Sequence, residues 1–136
     1  MAEDTPPTTE AVRVLIVDDQ PPFRDAARAV IDRLAGFEVV AECGSGEDAL
    51  RWCDTRDADL VLMDIHMGEL DGIETTRRLV AAHPGLRVVL LSSYELHDLP
   101  PGARTSGAIA YVNKDEFGGR VVRRLWADGH QFGFHP

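Results

Sequence analysis

Cysteine is scarce: Cys43 and Cys53 are the only two. They lack metal-ligand spacing and are too few for a disulfide framework, so they read as small, reduced hydrophobes. Basic charge is also in deficit, with 14 Lys and Arg against 23 Asp and Glu and a net charge of −9. That balance argues against nucleic-acid binding through this domain, because such binding rests on neutralising phosphates. The local basic groups, Arg77-Arg78 and Arg120 with Arg123-Arg124, read as solvated helix faces. No apolar run is long enough to span a membrane. Met1-Ala2-Glu3-Asp4 lacks the basic start and apolar core of a signal peptide, so a cytoplasmic protein without a membrane partner is expected. The histidines (His66, His83, His97, His130, His135) show no metal-ligand spacing, and no internal repeat is evident.

What remains is ordinary globular material, 44% hydrophobic and 27% charged, in 136 residues. That length suits one domain with its own core. We expect a flexible leader over 1–11, the domain over 12–127 and a tail over 128–136.

The central feature is Leu60-Val61-Leu62-Met63-Asp64, an apolar run ending on one carboxylate. Such a run suits a strand buried on both faces of a parallel sheet. Val12 to Val17 is a similar strand ending on Asp18-Asp19. Further strands are expected at Phe37–Cys43, Leu86–Leu91 and Ala108–Val112. Helical spacing of apolar residues lies between them. Pro21-Pro22 open a helix carrying Phe23, Ala26, Ala27, Val30, Ile31 and Leu34. Ser45 is a candidate N-cap for a helix with Ala49, Leu50 and Cys53. Asp71-Gly72 lead into one with Ile73, Leu79 and Val80. Between Ser92 and Gly107, Pro100-Pro101-Gly102 interrupt any long helix, leaving a loop and a short helix from about Pro101. A last helix is expected from Asp115 or Glu116 to Trp126, with Val121, Val122 and Leu125 inward. Strands alternating with helices mean an α/β fold, a doubly wound parallel sheet in a three-layer α/β/α stack.

Polar groups directly follow four of these strands: Asp18-Asp19, Asp64, Ser92 and Lys114. In open α/β sheets, ligands bind at that carboxyl edge. Three carboxylates at one point are unfavourable unless one takes a proton or a cation sits among them. Magnesium takes hard oxygen ligands, a lysine suits a phosphoryl group, and aspartate can accept one covalently. The residues describe a site for a phosphoryl group, a divalent cation and a nucleophilic carboxylate.

With Asp18-Asp19, Asp64-Ile65-His66-Met67, Asp71-Gly72, Ser92, Tyr111 and Lys114 in this order and separation, the chain resembles the receiver domain of two-component response regulators from about Val12 to Trp126. The resemblance implies a flavodoxin-like sheet of order 2-1-3-4-5. It also implies Asp64 as phosphoacceptor, supplied by a sensor histidine kinase or phosphotransfer protein. Asp19, Asp64 and the His66 carbonyl would bind Mg2+ directly, with Asp18 acting through a water. Lys114 would pair with the phosphoryl group, and Ser92 and Tyr111 would form the switch. The expected activity is that of a signalling switch, not an enzyme beyond its own phosphorylation and dephosphorylation. It would signal to a downstream protein partner, with a homodimer a further candidate. Gly68-Glu69 stands where the family has proline, and the Pro100-Pro101-Gly102 break falls where its fourth helix runs. His66 and Tyr94 sit where the family tunes the access of hydrolytic water.

Other readings compete. Asp18-Asp19 alone would be a turn pair, Tyr111 simple packing, and Asp71 an N-cap with Gly72 a backbone requirement. Gly44-Ser45-Gly46-Glu47-Asp48-Ala49 imitates a dinucleotide fingerprint, but Glu47 and Asp48 would oppose pyrophosphate at the helix start. An Asp-nucleophile phosphatase would carry a partner aspartate where His66 stands, and a cap. A degenerate receiver would lack some of the positions filled here. The stretch after Lys114 is too short for a helix-turn-helix domain, leaving a stand-alone receiver or the receiver part of a transcriptional regulator.

Overall fold

The computed structural model describes residues 10–128. The expected leader, save for residues 10 and 11, and the tail beyond Asp128 lie outside the described residues. Five strands, β1 (Val12–Val17), β2 (Phe37–Cys43), β3 (Leu60–Asp64), β4 (Arg87–Ser92) and β5 (Ala110–Asn113), form one parallel sheet of order 2-1-3-4-5. Four helices, α1 (Pro21–Asp32), α2 (Gly46–Thr55), α3 (Gly72–Ala82) and α4 (Gly119–Asp128), lie between and after them.

The three-layer form follows from side chains alternating across each strand. Leu15, Val17, Val61, Met63, Val88 and Leu90 face one side, with Ala49 and Cys53 of α2 and Ile73 and Leu79 of α3. Val14, Ile16, Leu60, Leu62, Val89 and Leu91 face the other, with Ala27 and Ile31 of α1 and Val122 and Leu125 of α4. β3 is buried along its whole length, and each such aliphatic side chain stabilises the fold by about 1.5–3 kcal/mol. One apolar position of the expected pattern departs from it, exposed Ala26, while Val121, like Phe23, Val30, Leu34, Leu50 and Val80, is half-buried.

Local chemistry sets the helix starts. Pro21 and Pro22 occupy the first turn of α1, where a missing N–H costs nothing. Ser45 and Asp71 cap α2 and α3 by accepting from the amides of Asp48, at 3.1 Å, and Glu74, at 2.8 Å. A Cβ on Gly72 would stand 2.0 Å from the Asp64 carbonyl oxygen, so α3 can start against the end of β3 only with glycine there. The dinucleotide reading of Gly44 to Ala49 fails on topology, since β1 lies between β2 and β3.

The segment from β4 to β5 corrects the expectation. No helix begins near Pro101; among the described residues the connection holds only a 3₁₀ turn, Leu96–Asp98, and a series of turns. Pro100 and Pro101 remove two amide donors, and Gly102 (φ 90°) and Gly107 (φ 99°) take left-handed backbone that no helix continues. β5 starts at Ala110 rather than Ala108. Lys114–Glu116 is a 3₁₀ turn, capped by Asn113, rather than the start of the last helix. α4 begins at Gly119 and continues to Asp128.

Candidate functional site

Strand register brings the polar groups to one edge. Val17 pairs with Met63, Asp64 with Leu91 and Ser92 with Asn113. The residues that follow β1 and β5, Asp18-Asp19 and Lys114, therefore come to the same edge as Asp64 and Ser92. Strand order reverses between β1 and β3, the switch point where open α/β sheets hold ligands.

Asp18, Asp19 and Asp64 each offer a carboxylate oxygen, all within 4.8 Å of one another. Asp18 and Asp64 are buried, at 1% and 4% exposure, while Asp19 is open to solvent. Lys114 Nζ lies 2.8 Å from Asp18 Oδ2 and 3.4 Å from Asp64 Oδ1. The Gln20 amide donates to Asp18 Oδ1 at 2.8 Å, and Arg24 donates to the Asp18 carbonyl at 2.6 Å. Burial, then the charge of Asp18, pushes the Asp64 carboxyl up to about 6, against the pull of Lys114 and the His66 amide. Burial also opposes the charge on Lys114, but the hydrogen bond to Asp18 and the two carboxylates outweigh it. Its ammonium therefore titrates above the usual lysine range.

Asp64, His66, Ser92, Tyr94 and Lys114 line one open pocket of about 310 Å³ together with Gln20. The ring of His66 meets Tyr94 edge-on, centroids 4.9 Å apart, at its mouth. Tyr111 is buried with its hydroxyl turned to β4. It hydrogen-bonds with Ser92 Oγ at 3.0 Å and donates to the carbonyls of Ser92, at 3.0 Å, and Tyr94. Ser92 Oγ also accepts from the Tyr94 amide at 3.1 Å.

Several contributors were not singled out by sequence. Phe23, read only as core, places its ring 4.5 Å from Lys114 Nζ. Asn113 donates to the Tyr94 carbonyl at 3.0 Å and accepts from the Asp115 amide at 2.9 Å, fixing the Lys114 turn to the end of β4. Its place just before Lys114 was the available signal. Arg24 and Gln20 carried none.

The sequence profile of the response regulator receiver domain matches residues 14–125. The chain belongs to this family. Response regulator UvrY of Escherichia coli strain K12 is 34% identical over 114 residues, covering 84% of this chain and 52% of that protein. A protein-glutamate methylesterase/protein-glutamine glutaminase of Paramagnetospirillum magneticum is 35% identical over 117 residues, 84% of this chain and 31% of that one. The receiver domain thus spans about half, or less, of the curated relatives it matches. Among solved structures, a LuxR-family response regulator from Aurantimonas superposes with a TM-score of 0.79 at 29% identity, covering 90% of this chain and 89% of that one. The receiver domain of the putative response regulator NarL from Mycobacterium tuberculosis gives 0.77 at 27%, covering 88% and 96%. Among the described residues of this receiver domain, no helix is long and apolar enough to cross a membrane.

Proposed function

We propose that this receiver domain is a magnesium-dependent phosphorylation switch whose acceptor is Asp64. The observation that carries the reading is the meeting of Asp18, Asp19, Asp64 and Lys114 at the switch point of the sheet. Buried like charges of this kind call for a hard cation, and three carboxylates with oxygens within 4.8 Å of one another fit magnesium. Asp18, Asp19, Asp64 and the His66 carbonyl are the groups that would hold it. Bound there, the metal supplies positive charge to the phosphoryl oxygens.

In the proposed step, an Asp64 carboxylate oxygen attacks phosphorus in line. The new O–P bond forms as the P–N bond to the donor histidine breaks, and that imidazole leaves with the electron pair. Lys114 faces the charge on the transferred group, so the protein mainly positions and stabilises. The Ser92 hydroxyl gives up its contact with Tyr111 to bond a phosphoryl oxygen. Tyr111 then has one hydrogen bond fewer, and the turn from β4 settles differently. The partners are a sensor histidine kinase or phosphotransfer protein and a downstream protein, and we place the reaction in the cytoplasm. The domain performs no further catalysis.

The test is addition of beryllofluoride with magnesium, followed by tryptophan fluorescence and amide NMR. Saturable changes around Ser92 and Tyr111 that need both magnesium and Asp64, and vanish in Asp64→Ala, are expected. A folded protein that binds magnesium but never responds would overturn the reading in favour of a degenerate receiver. A second reading, the receiver part of a longer transcriptional regulator, is favoured by the half-length match to regulatory relatives. The mass of the native polypeptide in its source cells decides between that and a stand-alone domain.

A further inference from the structure

Lys114 is the only lysine in the chain; the rest of the Lys and Arg set is arginine. An ammonium is a compact point charge on a flexible stem, so what holds it in place decides where its charge acts. The Lys114 side chain is only 15% exposed, and its Nζ leans to Asp18, at 2.8 Å, rather than to Asp64, at 3.4 Å. A third partner is not an oxygen. Nζ stands over the ring of Phe23, 4.5 Å from its centroid, inside the range of about 6 Å in which a ring face attracts a cation.

Two elements build that contact. Pro21 and Pro22 open α1, and the Phe23 amide donates to the Gln20 carbonyl at 3.1 Å, which sets Phe23 in the first turn just after the carboxylates that end β1. Phe117 closes the turn that starts at Lys114, its amide donating to the Lys114 carbonyl at 3.3 Å. Its ring meets that of Phe23 at 59°, centroids 5.9 Å apart. The turn that carries the ammonium thus also carries the buttress of the ring beneath it.

The ring differs from the carboxylates in one respect that matters to the chemistry. Under the proposed function, on which this inference rests, magnesium takes oxygens of Asp18 and Asp64, the groups that otherwise hold Lys114. A second cation among them repels the ammonium and offsets part of its attraction to them. Phe23 has no oxygen to give up, so its hold on Lys114 persists. We propose that Phe23 is a positioning residue: its ring face keeps the Lys114 ammonium beside Asp64 once the carboxylates are shared with the metal. The charge that faces the transferred phosphoryl group then needs no rearrangement to reach it.

The test uses the full chain labelled with carbon-13 in lysine, which gives the NMR signals of one lysine side chain. Magnesium affinity is measured by calorimetry and phosphoryl uptake with phosphoramidate as donor. In the wild type the Lys114 Cε protons should lie upfield, shifted by the ring current, and stay there as magnesium is added. In Phe23→Leu they should move towards the position of a solvated lysine, most fully with magnesium present. Uptake should slow about fivefold, the size of a partly desolvated cation–ring contact. Magnesium affinity should hold or rise, because the ammonium is then free to retreat; a ring that only fills space would lower both together. Phe23→Tyr, which keeps the ring face, should restore the shift and the rate. Phe117→Leu, which removes the buttress and leaves the ring, should lower the urea midpoint as Phe23→Leu does but slow uptake far less. Ordinary Lys114 shifts in the wild type, undiminished uptake in Phe23→Leu, or parallel losses of uptake and magnesium affinity would each overturn the role of Phe23. A wild type with the shifted Lys114 signals that takes up no phosphoryl group would instead overturn the phosphoacceptor reading, and this role with it.

Discussion

At the β1–β3 side of the carboxyl edge, two buried carboxylates face one ammonium, and helices cover the strands on both faces. At the β4–β5 side, the connecting segment carries no α-helix, and the turn beyond β4 is tied to β5 by side-chain donors from Tyr111 and Asn113 reaching main-chain carbonyls. The first arrangement is held by charge and changes when charge changes. The second is held by neutral hydrogen bonds, each contributing about 1 kcal/mol net, and can rearrange at low cost. Under the proposed function, an edge that registers a new charge at Asp64 and moves elsewhere has reason to be built unequally.

Lys114→Met should break the comparison most severely. It leaves Asp18 and Asp64 buried without a counter-charge, and removing one partner of such a group costs about 3–5 kcal/mol. Urea unfolding at neutral pH measures it, and added magnesium should recover part of the loss. A cost below about 1 kcal/mol, typical of a surface pair, would mean that solvent reaches this cluster freely.

Asp64→Asn tests the same side through pH. The folded carboxyl titrates at about 6, above its ordinary 3.8, so between those values the folded state holds more protons than the unfolded one. Stability should fall as pH rises through that window, by roughly 3 kcal/mol in total. The Asn variant should lack this slope and be the more stable protein above pH 6. Parallel pH curves for the two proteins would show that Asp64 is not strained by burial and by Asp18.

Gly72→Ala is smaller still. Its Cβ would have to push the Asp64 carbonyl or the start of α3 aside, for about 1–3 kcal/mol. Because the clash is with the backbone of the proposed acceptor, phosphoryl uptake should drop along with the urea midpoint. A variant with native stability and uptake would mean that the end of β3 yields without cost.

The two sides also differed in how far sequence alone could be read. Continuous apolar runs bounded by turn residues made β1 and β3 legible to the residue, and the carboxylates at their ends marked the edge. The caps at Ser45 and Asp71 were legible for the same local reason. The β4–β5 side was not. Pro100-Pro101-Gly102 warned against a long helix, but that no helix at all forms depends on left-handed backbone at Gly102 and Gly107, which tertiary packing selects. The roles of Phe23 and Asn113 were hidden because each is defined by a partner distant in sequence, Lys114 for one and the Tyr94 carbonyl for the other.

Tyr94→Ala should have the smallest effect on stability and separates backbone from side chain at this edge. The Tyr94 carbonyl accepts from Tyr111 and Asn113, and its amide donates to Ser92. All three bonds survive truncation to alanine. The half-exposed ring contributes its edge contact with His66, so unfolding should shift by no more than about 0.5 kcal/mol. With Asp64 as the proposed acceptor, the ring matters more kinetically, because with His66 it lines the Asp64 pocket that a hydrolytic water would have to enter. Loss of the phosphoryl group, followed after rapid removal of the donor, should therefore be several-fold faster in the variant. An unchanged rate would assign Tyr94 a backbone role only, and a large loss of stability would show that its ring supports the turn that its carbonyl anchors.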